Sequence, residues 1–197
     1  GAFADYCCVP SVHAHRVQSG LTDIELASFP CAYGTAENIL TRIDLQAGEQ
    51  VLITGASGGV GSAAVQLAKR RGAEVTALAA DAKAEMVRGL GATHVLPRDA
   101  NLAQQFGQEY FDAAVDIVGG TQFGEILGVL KRGGRYGVSG AISGPVVDLD
   151  LRTLYLKDLR LIGCMVLEHE VFGNFVGYIE RDEIRPLVAA TYDLADI

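Results

Sequence analysis

The stretch VLITGASGGVG, from Val51 to Gly61, decides the fold of this chain. Apolar, strand-forming residues lead into a cluster of glycines, and the amphipathic segment SAAVQLAKR (Ser62 to Arg70) follows at once. This order predicts a strand, a tight turn and a helix. A helix N-terminus has unpaired N–H groups and partial positive charge, which attract phosphate, and glycine lets the phosphate approach closely. The stretch therefore favours a dinucleotide site over a turn that only packs the helix onto the strand.

The composition limits the possible classes of protein. Hydrophobic residues make up 49% of the 197 residues and charged residues 20%, so a sizeable core is possible. The formal net charge is -8 and no Lys/Arg block is present, so we expect no nucleic-acid partner. No apolar run approaches the roughly 20 residues that span a bilayer, and no signal peptide opens the sequence. We therefore expect no membrane association and a cytoplasmic protein.

The cysteines indicate the same compartment. Their positions form neither a CxxC pair nor a disulfide framework, which favours a reducing environment. We expect Cys7, Cys8 and Cys164 to be buried apolar residues in strands.

Short apolar segments alternate with helical ones along the chain, as in doubly wound α/β folds with buried parallel strands. We predict strands at 51–54, 74–79, 94–96, 112–118, 134–139 and 159–165. We predict helices at 60–71, 82–90, 101–107, 120–131 and 149–156, with stops at Gly72, Gly91 and Gly133. The strand-like segments GAFADYCCVP (1–10) and PLVAATYDL (186–194) lie outside this pattern.

Several segments in order carry a family resemblance: FADYCCVP, FPCAYGTAENIL, VLITGASGGVGSAAVQLAKRRGA, GLGATHVL, DIVGG and LKRGGRYGVSG. Together they resemble the medium-chain dehydrogenase/reductase superfamily, in its quinone oxidoreductase and zinc-containing alcohol dehydrogenase branches. The resemblance implies a six-stranded parallel Rossmann sheet of order 3-2-1-4-5-6. It implies a dinucleotide-binding domain at 32–165, with 1–31 and 166–197 as remnants of a GroES-like catalytic domain in a truncated chain.

One other dehydrogenase family shares the glycine motif. TGASGGVG also fits the TGxxxGxG pattern of short-chain dehydrogenases, which need a Tyr-x-x-x-Lys pair for proton transfer. No tyrosine here is followed four positions later by lysine, and about 50 residues precede the motif. The sequence therefore disfavours the short-chain family.

The resemblance assigns cofactor contacts to two groups of residues. The glycine turn supplies the pyrophosphate site, from Ser57, Gly58, Gly59, Val60 and Gly61. The carboxyl ends of later strands supply Val118, Ser139 and Gly140, which would flank the adenosine ribose and the nicotinamide. Thr35, in the Gly-Thr-Ala segment upstream, would approach the nicotinamide end; the alternative is a threonine that bonds its own helix backbone.

The choice of cofactor depends on few side chains. The second strand ends at Ala80 without the acid that binds the ribose hydroxyls in NAD-preferring proteins. The resemblance places Lys83 and Arg98 near an adenosine 2′-phosphate, and two cations there favour NADP over NAD. Asp81 would oppose this preference by repelling the phosphate. Solvated surface charges are the alternative for both cations.

Metal binding stays open at this stage. Cys31 precedes Thr35 by four residues, the spacing of the third catalytic zinc ligand in zinc-dependent alcohol dehydrogenases. Zinc needs further thiolate or imidazole ligands, and the resemblance implies that these would lie in an N-terminal part of the catalytic domain, upstream of these residues. The alternative is that Cys31 is a buried apolar residue.

The resemblance implies an NADP-dependent oxidoreductase that transfers a hydride between nicotinamide and a small carbonyl or alcohol, a quinone or an enone. We expect this chain to bind cofactor without turning over substrate. The alternatives are a noncatalytic NADPH-binding sensor or structural module, and the enoyl-reductase domain of a larger synthase. An unprotected apolar edge strand at 159–165 predicts a homodimer.

Overall fold

The computed structural model describes residues 4–196, and a central sheet organises them. Its strands are β1 (Gln50–Ile53), β2 (Glu74–Leu78), β3 (His94–Leu96), β4 (Phe111–Asp116), β5 (Leu130–Val138) and β6 (Arg160–Gly163). All neighbouring strands are parallel, and the order is β3-β2-β1-β4-β5-β6. This confirms the predicted fold and places the reversal of strand order between β1 and β4, where such sheets bind ligands.

Helices cover both faces of the sheet. They are α1 (Asp23–Ala27), α2 (Phe29–Arg42), α3 (Gly59–Arg70), α4 (Ala84–Gly89), α5 (Leu102–Phe106), α6 (Phe123–Val129), α7 (Leu151–Leu156) and α8 (Val171–Glu180). Helices α2, α3, α4 and α8 share one apolar core, whereas α5 and α6 share the other. Val51 and Ile53 of β1 belong to the first core and Leu52 to the second, because successive side chains of a strand point to opposite faces.

Only β3 has both predicted boundaries, and the boundaries of the other strands differ by at most four residues, most at the start of β5. β5 begins at Leu130 rather than at 134, so the predicted helix over 120–131 ends too late. Leu130 pairs with Phe111 of β4, and Gly133 adopts a φ of 74° inside the strand instead of ending a helix. β4 ends at Asp116 rather than at 118, because the following N–H groups donate to side chains instead of to a neighbouring strand. The Ile117 N–H donates to the Thr54 hydroxyl, and those of Val118 and Gly119 donate to the Asp116 carboxyl.

The two flanking segments contain no strand within residues 4–10 and 186–194, so the strand-like patterns there predict wrongly. Consequently Cys7 and Cys8 are exposed, and the expectation that they are buried is wrong. Cys164, which follows β6, is buried as predicted.

The segment after the sheet packs onto α2 through a buried polar cluster as well as through apolar contacts. Glu37 of α2 is fully buried and pairs with Arg71 at 2.8 Å. From α8, the Tyr178 hydroxyl and the Asn174 amide donate to the same carboxylate oxygen, at 3.1 and 3.3 Å. An ion pair buried this deeply makes each partner depend on the other.

Candidate functional site

The turn between β1 and α3 contains two glycines, Gly55 and Gly61, that no other residue could replace without strain. Gly55 adopts a φ of 58°. A Cβ on Gly61 would lie 2.2 Å from the Gly55 carbonyl oxygen and 2.7 Å from Ala56 Cα. Gly58 precedes α3 in an extended conformation, and no side chain among residues 4–196 caps the helix. The N–H groups of the first turn therefore have no side-chain acceptor, an arrangement that suits an anionic ligand.

A cavity of about 490 Å³ adjoins this turn at the carboxyl ends of β1, β2 and β4. This is the edge at which open parallel sheets bind ligands. Among the residues predicted for the site, Ser57, Gly58, Arg98 and Val118 line the cavity. The structure thus brings residues from three separate strand ends to one place.

The remaining predicted residues do not line the cavity. All but one of them follow the carboxyl end of a strand. They are in the first turn of α3 (Gly59, Val60, Gly61), after β2 (Ala80, Lys83), after β5 (Ser139, Gly140) and in the middle of α2 (Thr35). Gly140 is needed for close packing, because a Cβ there would lie 2.4 Å from the Ile117 carbonyl oxygen.

Other lining residues were missed by the sequence interpretation. They include Thr54, Asp99, Thr121, Gln122, Ile142 and Ser143. Thr54 directly follows β1, so the rule that ligands bind at strand ends could have found it. No sequence signal indicates Ser143, which reaches the cavity because its N–H donates to the Val118 carbonyl across two loops at 2.9 Å.

The charges at the cavity are mixed. Arg98 lines it and is exposed, and its neighbour Asp99 lines it with the opposite charge. Lys83 and Asp81 are both exposed in the short 3-10 turn Asp81–Lys83 after β2. Within residues 4–196, neither Arg98 nor Lys83 is paired with a carboxylate. Both cations are therefore available to an anionic ligand.

A buried polar network lies beneath the cavity wall. The Asp116 carboxyl accepts hydrogen bonds through Oδ1 from the Thr54 hydroxyl at 2.6 Å and from the N–H groups of Val118 and Gly119 at 2.8 and 3.0 Å. Its Oδ2 accepts a short hydrogen bond from the Tyr136 hydroxyl of β5. Burial, followed by this bond to Asp116, raises the pKa of Tyr136 far above its ordinary value. Tyr136 therefore stays a neutral donor at physiological pH.

The candidate zinc ligand stands alone. Cys31 lies exposed in the first turns of α2, so the alternative that it is a buried residue is wrong. Among residues 4–196, no three His, Cys, Asp or Glu side chains are close enough together to hold a metal ion. The described residues therefore do not form a zinc site by themselves.

Over the described part of the chain, none of the helices combines the length and the apolar character that crossing a bilayer requires.

Comparison with known proteins adds a family to this geometry. The family model for zinc-binding dehydrogenases matches residues 59–181, more than half of the chain. Acryloyl-coenzyme A reductase from Metallosphaera sedula is 31% identical over 199 aligned residues, which cover 100% of this chain and 59% of that protein. The chain therefore spans less than two thirds of that curated relative.

Two solved structures show the same architecture. A cobalt- and zinc-bound thermostable alcohol dehydrogenase from Pyrobaculum aerophilum superposes with a TM-score of 0.86 at 36% identity, covering 100% of this chain and 57% of that one. The quinone oxidoreductase from Thermus thermophilus, solved also with NADPH, has a TM-score of 0.85 at 29% identity, covering 100% of this chain and 67% of that one. Both alignments cover the whole of this chain and therefore include all six strands of the sheet.

Proposed function

The chain belongs to the zinc-binding dehydrogenases of the medium-chain dehydrogenase/reductase superfamily, and from this premise we propose that it binds NADP(H) at the carboxyl edge of its sheet. The main support for this proposal is the N-terminus of α3, which lies beside the cavity without a side-chain cap. The helix packs so closely against the preceding turn that a Cβ on Gly61 would clash with the backbone. A pyrophosphate bound there would accept hydrogen bonds from the first-turn N–H groups and gain from the helix dipole. Oxidoreductase activity is common to the relatives.

The cations at the cavity favour NADP over NAD in this proposal. Arg98 lines the cavity without a carboxylate partner among the described residues, and Lys83 is exposed after β2. β2 is followed by Ala79 and Ala80, which offer no side-chain acceptor to a ribose hydroxyl. A guanidinium binds a phosphate dianion with charge-assisted hydrogen bonds. The negative charges of Asp81 and Asp99 oppose the preference for NADP. The quinone oxidoreductase solved with NADPH supports that preference.

We propose hydride transfer as the reaction of the whole protein. The nicotinamide ring supplies or accepts the hydride, and the protein orients substrate against it and excludes water. Small carbonyls or alcohols, quinones and enones are the candidate substrates. Reduction of an enoyl thioester is a specific second candidate, because the acryloyl-coenzyme A reductase matches along the entire chain. No step is assigned to zinc.

The arrangement of the whole protein belongs to the same proposal. Residues 32–165 would be the cofactor domain, with 1–31 and 166–197 contributing to a catalytic domain. A homodimer through β6 is supported by its edge position and by the exposure of Leu161, Met165 and Val166. Light scattering of the purified chain should give twice its mass, and a monomer at micromolar concentration would contradict the dimer.

Calorimetric titration of the chain with NADPH and NADH tests the cofactor. We expect both to bind, with NADPH tighter by about tenfold or more because one additional phosphate is recognised. Tighter binding of NADH would overturn the preference, and no uptake of either would overturn the dinucleotide site. For the full-length protein, NADPH oxidation with an aldehyde, a quinone and an enoyl thioester would identify the substrate class. Binding without any oxidation would instead support a sensor or structural module.

A further inference from the structure

Asp116 is an unusually placed carboxylate. It is fully buried at the end of β4, and within residues 4–196 it forms no ion pair. A buried carboxylate without a cation is costly unless hydrogen bonds replace the lost water. Here four donors do so, namely two backbone N–H groups and the hydroxyls of Thr54 and Tyr136.

The two carboxylate oxygens serve different parts of the molecule. Oδ1 accepts hydrogen bonds from Thr54, Val118 and Gly119. These three residues all line the cavity, and we refer to them as the cavity wall. Oδ2 holds Tyr136, which lies in the apolar core beside α6 and does not line the cavity. The Asp116 side chain therefore connects the residues that follow β1 and β4 at the cavity with Tyr136 of β5 in the apolar core.

The course of the wall depends on the Oδ1 bonds. They turn the chain away from β4 so that Gly119 adopts a φ of 65°. The Val118 side chain then packs against Gly55, where a Cβ would lie 3.0 Å from Val118 Cγ2. Thr54 completes the link by accepting from the Ile117 N–H at 3.1 Å. Without Oδ1, three polar groups of the wall would lose their common acceptor.

We propose that Asp116 is the positioning residue of the dinucleotide site, acting through Oδ1 on the wall formed by Thr54, Val118 and Gly119. This role rests on the proposed NADP(H) binding. Asp116 is not proposed to touch the cofactor, because it is fully buried beneath the wall. It acts by fixing the backbone against which the cofactor packs, so geometry rather than its charge is the property that matters.

Four variants separate this role from a merely structural one. Dissociation constants for NADPH and NADP+ are measured by calorimetry at a temperature where circular dichroism shows each variant folded. Asp116→Ala should weaken both constants by about tenfold or more, since the wall loses several hydrogen bonds. Asp116→Asn should stay within about threefold, because its carbonyl oxygen takes over the Oδ1 acceptor role and Tyr136 can accept from the amide.

Thr54→Val and Tyr136→Phe form the matched pair, because each removes one donor from the same carboxylate. Thr54→Val should weaken binding by about fivefold through the wall, whereas Tyr136→Phe should lower the unfolding midpoint and change binding by less than about twofold. This pair still decides the question if Asp116→Ala does not fold. Equal effects of the two variants on binding would overturn the proposal.

Folded Asp116→Ala with wild-type binding would overturn the positioning role but leave NADP(H) binding intact. Selective loss of NADP+ in Asp116→Asn would replace positioning by a direct charge effect on the oxidised nicotinamide. Absence of any uptake by the wild-type chain would overturn the proposed function, and this inference with it.

Discussion

Substitution of Gly61 by alanine tests the close packing on which the site depends. The new Cβ would lie 2.2 Å from the Gly55 carbonyl oxygen and 2.7 Å from Ala56 Cα, and these are backbone atoms that no rotamer change can move. Relieving the contact needs a displacement of roughly 1 Å between β1 and α3. Overpacking of this kind costs about 3 kcal/mol.

The displacement also strains hydrogen bonds of the turn. The Ala56 N–H donates to the Leu78 carbonyl at 3.1 Å, and the Gly58 N–H donates to the Gly55 carbonyl at 3.0 Å. Loss of one such bond adds about 1 kcal/mol, so we expect a total destabilisation of about 3 to 4 kcal/mol. The folded fraction that remains should bind NADPH more weakly, since the first-turn N–H groups have moved.

Urea unfolding followed by far-ultraviolet circular dichroism measures the loss. Gly59→Ala is the matched control in the same turn, because its Cβ would meet only Ala32 Cβ at an ordinary 3.7 Å. Alanine there should leave stability unchanged or raise it by up to about 1 kcal/mol through helix propensity. If Gly61→Ala unfolded at the wild-type urea concentration, the argument from close packing would be refuted.

Three further outcomes are expected. In calorimetric titrations, Arg98→Ala should raise the dissociation constant of NADPH by about tenfold and leave that of NADH unchanged, and Lys83→Ala should have a smaller effect. Equal losses of affinity for both cofactors would mean that neither cation recognises the 2′-phosphate. Arg71→Met should destabilise the fold by about 3 kcal/mol in urea unfolding, because Glu37 is left buried without its cation, and Arg71→Met combined with Glu37→Leu should recover part of this loss. Burial raises the pKa of the Cys164 thiol, so at a given pH a smaller fraction of it is thiolate. Mass spectrometry should therefore show that iodoacetamide modifies Cys164 more slowly than the three exposed cysteines. Modification of all four cysteines at one rate in the folded chain would contradict the burial of Cys164.

Local pattern was sufficient to predict most of the fold. Short Val-, Ile- and Leu-rich segments alternate with helical ones, and both faces of each strand must be covered, so a parallel sheet follows. The glycine turn predicted the start of α3 to within one residue, whereas anion binding at that helix end stays a prediction. The pattern failed where apolar residues have no partner strand, as at 4–10 and 186–194, because alternation alone does not supply one.

The sequence by itself determined the sheet, the glycine turn and the family resemblance, since each depends on residues close together in the chain. Only the tertiary structure decided which strand ends meet around one cavity. It placed Ser143 against Val118 across two loops, and it joined Thr54, Asp116 and Tyr136 through one carboxylate. Such contacts depend on how β1, β4 and β5 are ordered in space, because residues distant in sequence become hydrogen-bond partners only when their strands are neighbours.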